Sequence, residues 1–508
     1  MKFSIDNLPD DMEQLKKIIL QQQSKLLHLE EQFRLAQQKQ FGKSAKGHPG
    51  QGEQFNELEV EAEVVGAEVE VEADTVETEE DQADTSSRKK PKRKPLPTDF
   101  PRDVVTHDIS DTDKTCVCCG NELHKIGEER SEKLEFIPAQ VKVIEHVRLK
   151  YSCRACDKHS TQVKVHIAPV PASPIPKGIA TASLLSQIIT SKYQYGLPLY
   201  RQESMFEQYG IEMSRKTMAD WMMKCSGLLQ PLYDRLREVL LEQAVIQADE
   251  TTLNVLKEEK ATCYMWLYAT GTDAPNNRDI PNIVLYDYQP SRAGQCAVDF
   301  LDGFNGYLQV DGYAGYGKTQ ARLAGCWAHA RRKFKEAEIA QPKGKTGKAN
   351  WALNHIQKLY RVETLNKDSS VDARRQQRQQ QSLPLLDELH RWLEKSQQHV
   401  PPKSSLGKAI IYSLNQWPNL TRYVEDGRLN IDNNRAERAI KPFVIGRKNW
   451  LFANTANGAN ASAMLYSMIE TAKANGLTPF DYLMHCLEQL ALKPESLEHL
   501  LPWNVKLG

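Results

Sequence analysis

Two short apolar runs, Ala244-Val245-Ile246-Gln247-Ala248-Asp249 and Tyr307-Leu308-Gln309-Val310-Asp311-Gly312, each arrive at an aspartate. Runs of this length and composition read as buried strands, and between them Cys263 to Ala269 and Ile283 to Tyr288 read as two more. A short apolar patch from Leu323 to Trp327 and a helical stretch from Ala328 to Ile339 follow. Strands in this density, then alternating helix, restrict this part of the chain to an α/β sheet with helical layers.

Three strands, then a fourth ending in Asp, is the chain order of an RNase-H-like sheet, and acids in those positions suit one kind of chemistry. In-line displacement at a phosphodiester can be driven by two divalent cations that stabilise the attacking and leaving oxygens. Mg²⁺ takes few protein ligands, mainly carboxylates, and keeps positions for water and phosphate. Asp249 and Asp311 are the first two candidate ligands. Strand alternation separates Asp249 from its neighbour: if Asp249 faces the site, Glu250 points away. A third acid is expected on a helix, and Asn430-Ile431-Asp432-Asn433-Asn434-Arg435-Ala436-Glu437-Arg438 offers one. Asp432 or Asn433 reads as a cap, placing Glu437 in the first turns beside Arg435, Arg438 and Lys441. On residue type alone, Glu437 could equally pair with Arg438 or Lys441 on a solvated helix.

The remainder divides into several segments, as 508 residues require. Met12, Leu15, Ile19, Gln22, Leu26, Leu29, Phe33 and Ala36 follow 3-4 spacing, which reads as a short coiled coil or as an amphipathic helix folded back on its own chain. The charges, 66 basic and 66 acidic, cancel only on average. Gln51 to Ser87 holds 14 acids and no Lys or Arg, so the rest carries +14. That suits a DNA binder with an acidic tether, followed by the basic block Arg88 to Lys94. Cys116-Val117-Cys118-Cys119 and Cys153-Arg154-Ala155-Cys156, separated by 33 residues, have the pattern of a tetrahedral structural zinc site. Cys116 and Cys119 are preferred over Cys118 because they keep the two-residue gap and put Gly120 directly after the second ligand. Pro169 to Pro176 forms a joint. Beyond it, a helix from Leu197 broken at Gly210, and a second capped by Ser214 with Arg215 and Lys216 at its start, suggest a helix-turn-helix. Arg331, Arg332, Lys333 and Lys335 crowd one helix and read as phosphate contacts. Cys326 and His329 have metal-ligand spacing but lack a second pair, so packing or a phosphate contact is the preferred reading. Trp450 reads as a base-stacking residue or a core tryptophan.

Several motifs carry a resemblance. Tyr195-Gly196-Leu197-Pro198-Leu199-Tyr200-Arg201-Gln202-Glu203, Ala248-Asp249-Glu250-Thr251, Val310-Asp311-Gly312-Tyr313, Gly325 to Phe334, Asp432 to Arg438 and Gly446-Arg447-Lys448-Asn449-Trp450-Leu451-Phe452 resemble the IS66 family of insertion-sequence transposases. The likeness runs from the cysteine knuckles to the C-terminus. It implies a DDE transposase of the TnpC type whose catalytic, Mg²⁺- or Mn²⁺-binding triad maps onto Asp249, Asp311 and Glu437. It also implies a zinc-finger role for Cys116, Cys119, Cys153 and Cys156. Val117 stands where such knuckles commonly carry Pro.

The expected architecture is a coiled-coil helix (1–40), a disordered acidic and basic linker (41–97), a zinc module (98–168) and a helical DNA-binding region (177–240). An RNase-H-like catalytic domain (241–470), with a helical insertion near 345–405, and a helical tail (471–508) complete it. The expected reaction is cleavage at element ends followed by strand transfer of the 3′-OH into target DNA. Double-stranded DNA is the partner, both terminal inverted repeats and target, bound through Arg215, Lys216, Arg331, Arg332, Lys333, Arg435, Arg438, Lys441, Arg447 and Lys448. A homodimer or higher oligomer is expected, with accessory proteins left open. A zinc-containing regulator without catalysis and a structure-specific nuclease are the rival readings. No run of 18 apolar residues and no leader-like start is present, so a cytoplasmic bacterial protein without a membrane partner is expected.

Overall fold

The computed structural model describes residues 11–41, 141–151, 166–260, 262–271, 280–341 and 347–506. The four knuckle cysteines, Cys118, and the acidic and basic blocks of the linker lie outside the described residues. The chain divides into two compact units, one spanning Thr75–Ile167 and the other formed by Met1–Asp74 with Ala168–Gly508. In the smaller unit, β1 (Lys150–Tyr151) pairs antiparallel with β2 (His166–Ile167).

The larger unit begins with α1 (Met12–Phe41), a single uninterrupted helix. It lies against the helix formed by Trp327–Ile339, and its Glu31 carboxylate accepts a hydrogen bond from the Ser405 amide at 3.2 Å. The 3-4 seam faces elsewhere: Met12, Ile19, Leu26, Leu29 and Phe33 are exposed, whereas Glu31, Arg34 and Leu35 on the other side are half-buried. The face that meets the chain is thus a different one from the seam, of which only Leu15 is half-buried.

Three helices precede the sheet: α2 (Ala182–Tyr193), α3 (Leu199–Gln208) and α4 (Arg215–Leu241). Ser214 caps α4 as expected, its hydroxyl accepting from the Thr217 amide at 3.2 Å. Leu229, Leu232, Leu236 and Leu240 recur at helical spacing and are fully buried, so α4 continues into the same core as the sheet. The break expected near residue 240 thus separates helix from strand but not one core from another.

Strands β3 (Val245–Asn254), β4 (Thr262–Thr270), β5 (Ile283–Gln289), β6 (Tyr307–Gln309) and β7 (Arg322–Ala324) form a mixed sheet in the order β5-β4-β3-β6-β7. β4 pairs antiparallel with both β3 and β5, and β6 and β7 run parallel to β3. Met265 to Ala269 of β4 are completely buried, which means helices cover both faces of the sheet. α5 (Gly294–Phe300) lies between β5 and β6.

After β7 come α6 (Trp327–Ile339), α7 (Lys348–Leu365), α8 (Val371–Gln377), α9 (Leu383–Gln397), α10 (Ser405–Asn415) and the short α11 (Trp417–Leu420). They build a second core around Trp327, Phe334, Leu359, Leu389 and Ile410. α12 (Asn434–Trp450) then returns to the first core, and α13 (Ala456–Ala474) and α14 (Pro479–Ala491) close it. α13 solves an edge problem. β5 is an outer strand, and the Ser467 and Thr471 hydroxyls of α13 bond its backbone at Tyr286 N, Val284 N and Val284 O (2.7, 3.0 and 2.9 Å). The segment expected to be a helical tail, 471–508, thus begins inside α13, and its α14 packs into the same core as the sheet.

One buried residue ties the insertion to the chain that leads into α12. Arg378, 1 % exposed, sits in a single π-type turn (Arg378–Ser382) between α8 and α9. It donates to both Glu363 oxygens at 2.8 and 2.6 Å and to the carbonyls of Tyr423, Asp426 and Leu429. Arg378→Met would strip Glu363 of its main partner and release three carbonyls at once. The expected loss of stability is about 3–5 kcal/mol, measured by urea unfolding. A loss under about 1 kcal/mol would show that Arg374, 3.3 Å from the same carboxylate, suffices.

Candidate active site

The parallel pairing of β3 with β6 places the two aspartates. Val245 is opposite Tyr307, Ile246 opposite Leu308 and Gln247 opposite Gln309. The ladder ends there, two residues short of each aspartate, and the two acids lie near enough for the charge of Asp311 to act on Asp249. Asp249 does not close its strand, as the apolar run suggested; β3 continues to Asn254, and it is β6 that leaves after Gln309. Asp311 therefore follows directly where β6 departs from β3.

Each is held from its own side. Asp249 Oδ1 accepts from the Glu250 amide at 2.8 Å. Burial holds the Asp249 carboxyl well above the usual carboxylate range, helped by the charges of Glu250 and Asp311 and opposed by that amide and by Arg292. Asp311 Oδ1 accepts from the Tyr313 amide at 2.9 Å, and the Asp311 carbonyl accepts from the Tyr412 hydroxyl of α10 at 2.8 Å. Gly312 makes the turn between them at φ +101°, where a side chain would be strained and would press on Gln416 and Tyr412.

Asn433 brings the third element in. Where β6 has left, the Ala248 carbonyl is taken by Asn433 Nδ2 at 2.9 Å, while the Asn433 amide donates to Cys326 Sγ at 3.2 Å. One residue thereby fastens the start of α12 to both β3 and α6. Asn433 is the N-cap residue of α12 but makes no side-chain cap bond; Asp432 before it accepts through Oδ1 from the Asn434 amide at 3.3 Å and through Oδ2 from the Tyr360 hydroxyl at 3.0 Å. Glu437, one turn on, is buried and faces His329 of α6, Oε1 to Nδ1 at 3.6 Å. Among the described residues, Cys326, His329 and Glu437 are the trio whose donor atoms fall within 4.8 Å of one another; Asp249, Asp311 and Glu437 are not so gathered. Burial pushes the Cys326 thiol up to about 12, aided by Asp432, which keeps it a protonated packing group at neutral pH.

Comparison with known proteins now bears on this geometry. Residues 177–461 match the transposase IS66 family. The chain belongs to that family. Residues 113–157 match the zinc-finger binding domain of transposase IS66, 467–503 the IS66 C-terminal element, and 28–105 the transposase C of IS166 homeodomain. Among similar proteins of Sinorhizobium fredii, the uncharacterized protein y4jD is 36% identical over 428 residues, covering 81% of each chain. The uncharacterized protein y4qI is 37% identical over 440 residues, covering 82% of this chain and 79% of its own. No solved structure matches.

For an IS66-family chain, the basic residues expected to reach DNA divide sharply. Arg215, Lys216 and Lys448 are exposed, and Arg332, Lys333, Arg438, Lys441 and Arg447 are half-buried. Arg331 and Arg435 are buried. Arg435 turns inward, with Nη2 donating to the Thr270 carbonyl at 2.7 Å and to Asn282 Oδ1 at 3.0 Å. It braces the sheet because its helix position faces β4. Lys333 lies over the Tyr412 ring at 4.8 Å, and Arg447 bonds the Thr252 backbone. Trp450 packs edge-on against Tyr193 at 6.1 Å, as a core tryptophan does. No helix among the described residues is long and apolar enough to cross a membrane.

Sequence reasoning missed Asn433 as a fastener, Tyr412, and the contacts of Glu250. Tyr313 lay inside a recognised motif, but no spacing signal connected Tyr412 or Arg292 to it. Asn433→Ala should leave the Ala248 carbonyl buried without its partner and cost about 1–3 kcal/mol in chemical denaturation. A neutral result would show that water takes the carbonyl and that the fastening is dispensable.

Proposed function

We propose that this chain is a DDE transposase with an RNase-H-like catalytic core, in which Asp249, Asp311 and Glu437 cooperate in cleavage at element ends and in strand transfer. The observation that carries the reading is that Asp249 and Asp311 each follow the β3–β6 ladder by two residues and interact electrostatically. The sheet order, with three antiparallel strands followed by two parallel ones, supports the fold assignment. Water attacks the phosphodiester at the element's 3′ end, breaking the P–O3′ bond to the flanking DNA and freeing a 3′-OH. That hydroxyl then attacks a target phosphodiester and expels the target's own 3′-oxygen, so bonds broken and formed balance.

Asp249, Asp311 and Glu437 are not gathered as they stand, but two properties of these acids suit a divalent cation. Asp249 is disfavoured as an anion by burial and by two neighbouring carboxylates, a cost that a cation would relieve. Glu437 Oε2 is buried with no hydrogen-bond partner among the described residues. Asp249, Asp311 and Glu437 would hold Mg²⁺ or Mn²⁺, which would supply charge stabilisation to the attacking and leaving oxygens. The chain's own residues hold the acids in place: Tyr313 and Tyr412 fix Asp311, and Asn433 fixes the helix that bears Glu437. Cys116, Cys119, Cys153 and Cys156 would hold a structural zinc, since four thiolates in two knuckles form a closed tetrahedral set.

DNA is the partner in this reading. Arg215 and Lys216, exposed at the start of α4, and the half-buried Arg438 and Lys441 near Glu437 serve its phosphates. The exposed seam of α1 supports pairing with a second copy, which would bring two element ends together. The acidic segment between Gln51 and Ser87 would restrain non-specific DNA binding or act as a plain spacer.

Asp249→Asn, Asp311→Asn and Glu437→Gln should each lower cleavage and joining by at least about 100-fold while leaving end binding largely intact. The assay combines the chain with its own flanking element ends, Mg²⁺ and a plasmid target, followed by sequencing of junctions. Near-normal joining by Glu437→Gln would move the third role to another acid, with Asp432 tested next. Cleavage without joined products would favour a nuclease.

The purified protein should carry one tightly held zinc per chain. Cys116→Ser and Cys153→Ser should lose it and weaken DNA binding, whereas Cys118→Ser should retain it. Elemental analysis of the three variants decides the ligand register, and loss of zinc from Cys118→Ser would overturn it.

A further inference from the structure

Glu250 is a buried carboxylate for which the proposed triad has no use. Its side chain is 1 % exposed, and both oxygens are engaged. Oε1 accepts from Nε and Nη2 of Arg292 at 2.8 and 2.5 Å, and Oε2 accepts from the Tyr316 hydroxyl at 2.6 Å. Tyr316 is itself fully buried and packs edge-on against Trp266 at 5.5 Å. Alternation along β3 thus does not send Glu250 away from the site. It places Glu250 as the anchor of an arginine that reaches over the rim.

The other side of Arg292 is open. The side chain is 43 % exposed, and its guanidinium lies 4.0 Å from the centre of the Tyr313 ring. The Tyr313 hydroxyl donates to the Arg292 carbonyl, and the Tyr313 amide donates to Asp311 Oδ1. Arg292 interacts electrostatically with both Asp249 and Asp311. Nε and Nη2 are used on Glu250; among the described residues Nη1 has no hydrogen-bond partner. A guanidinium held by a buried carboxylate and an aromatic face loses little freedom when it accepts a further ligand. An exposed, preoriented cation beside two acids matches an oxygen of a phosphodiester, the group that arginine forks recognise best.

We propose that Arg292 is a phosphate-binding side chain of this site, with Nη1 donating to a non-bridging oxygen of the DNA strand presented to Asp249 and Asp311. Glu250 and Tyr316 are positioning residues that act through Arg292. The inference rests on the reading of the two aspartates as the reacting centre.

The test is the salt dependence of binding to a duplex carrying the element's own terminal sequence, measured without added divalent metal. Each phosphate contact contributes about 0.9 to the slope of log affinity against log salt. R292Q should make the slope shallower by about that amount, and so should E250Q/R292Q, which leaves no unpaired buried charge. R292K keeps the charge and should keep the slope. An unchanged slope in the double variant overturns the proposal. Equal loss of slope in R292K also overturns it, because a general disturbance would then be responsible rather than a lost contact. No chemistry is measured here, so the result is separable from the cleavage assay. An Arg292-dependent slope in a chain that does not cleave would sink the strand-transfer reading and leave the phosphate contact standing.

Discussion

The architecture depends on how the parallel pairing of β3 and β6 ends. Three residue pairs of backbone hydrogen bonding fix the register, and with it the neighbourhood of Asp249 and Asp311. When β6 departs, a carbonyl of β3 is left inside the protein, and a buried carbonyl demands a donor. Asn433 supplies it from a helix more than 180 residues further along the chain. The same residue holds the start of α12 on both sides, its side chain to β3 and its backbone amide to Cys326 ahead of α6.

The helical insertion has a structural part in this. α6 to α11 form their own core, yet two of their residues reach the sheet's open end, Tyr412 to the Asp311 carbonyl and Tyr360 to Asp432. Arg378 gathers the carbonyls of the segment that enters α12. The 125 residues between Asp311 and Glu437 are thus a brace on both acids as well as an excursion of the chain. On the opposite side, α13 supplies hydroxyls to the outer strand β5, so the sheet is closed by side chains where no sixth strand pairs with it.

Electrostatics set the acids apart from the cations around them. Asp249 stands among carboxylates in a buried setting that disfavours its charge, while Arg435, nearby in sequence to Glu437, is spent on Thr270 and Asn282. Arg292, 43 residues from Asp249 in the chain and in no recognised motif, interacts with both Asp249 and Asp311.

Sequence alone determined much of the frame. Strand runs at 244–249, 263–269, 283–288 and 307–312, the Ser214 cap, the long helical insertion and the motifs of the IS66 family were all legible, because they depend on local periodicity, capping chemistry and short contiguous patterns. The nearness of Asp249 to Asp311 could be anticipated from two similar runs, each arriving at an aspartate. The tertiary structure alone decided that β3 runs past its aspartate, that α4 and α13 share one core with the sheet, and which face of α1 meets the chain. It likewise decided that Asn433 replaces a missing strand partner, that Arg331 and Arg435 are buried, and that Glu250 anchors Arg292. These depend on which distant groups are left without hydrogen-bond partners or water once the layers pack, and no local pattern in a chain encodes that remainder.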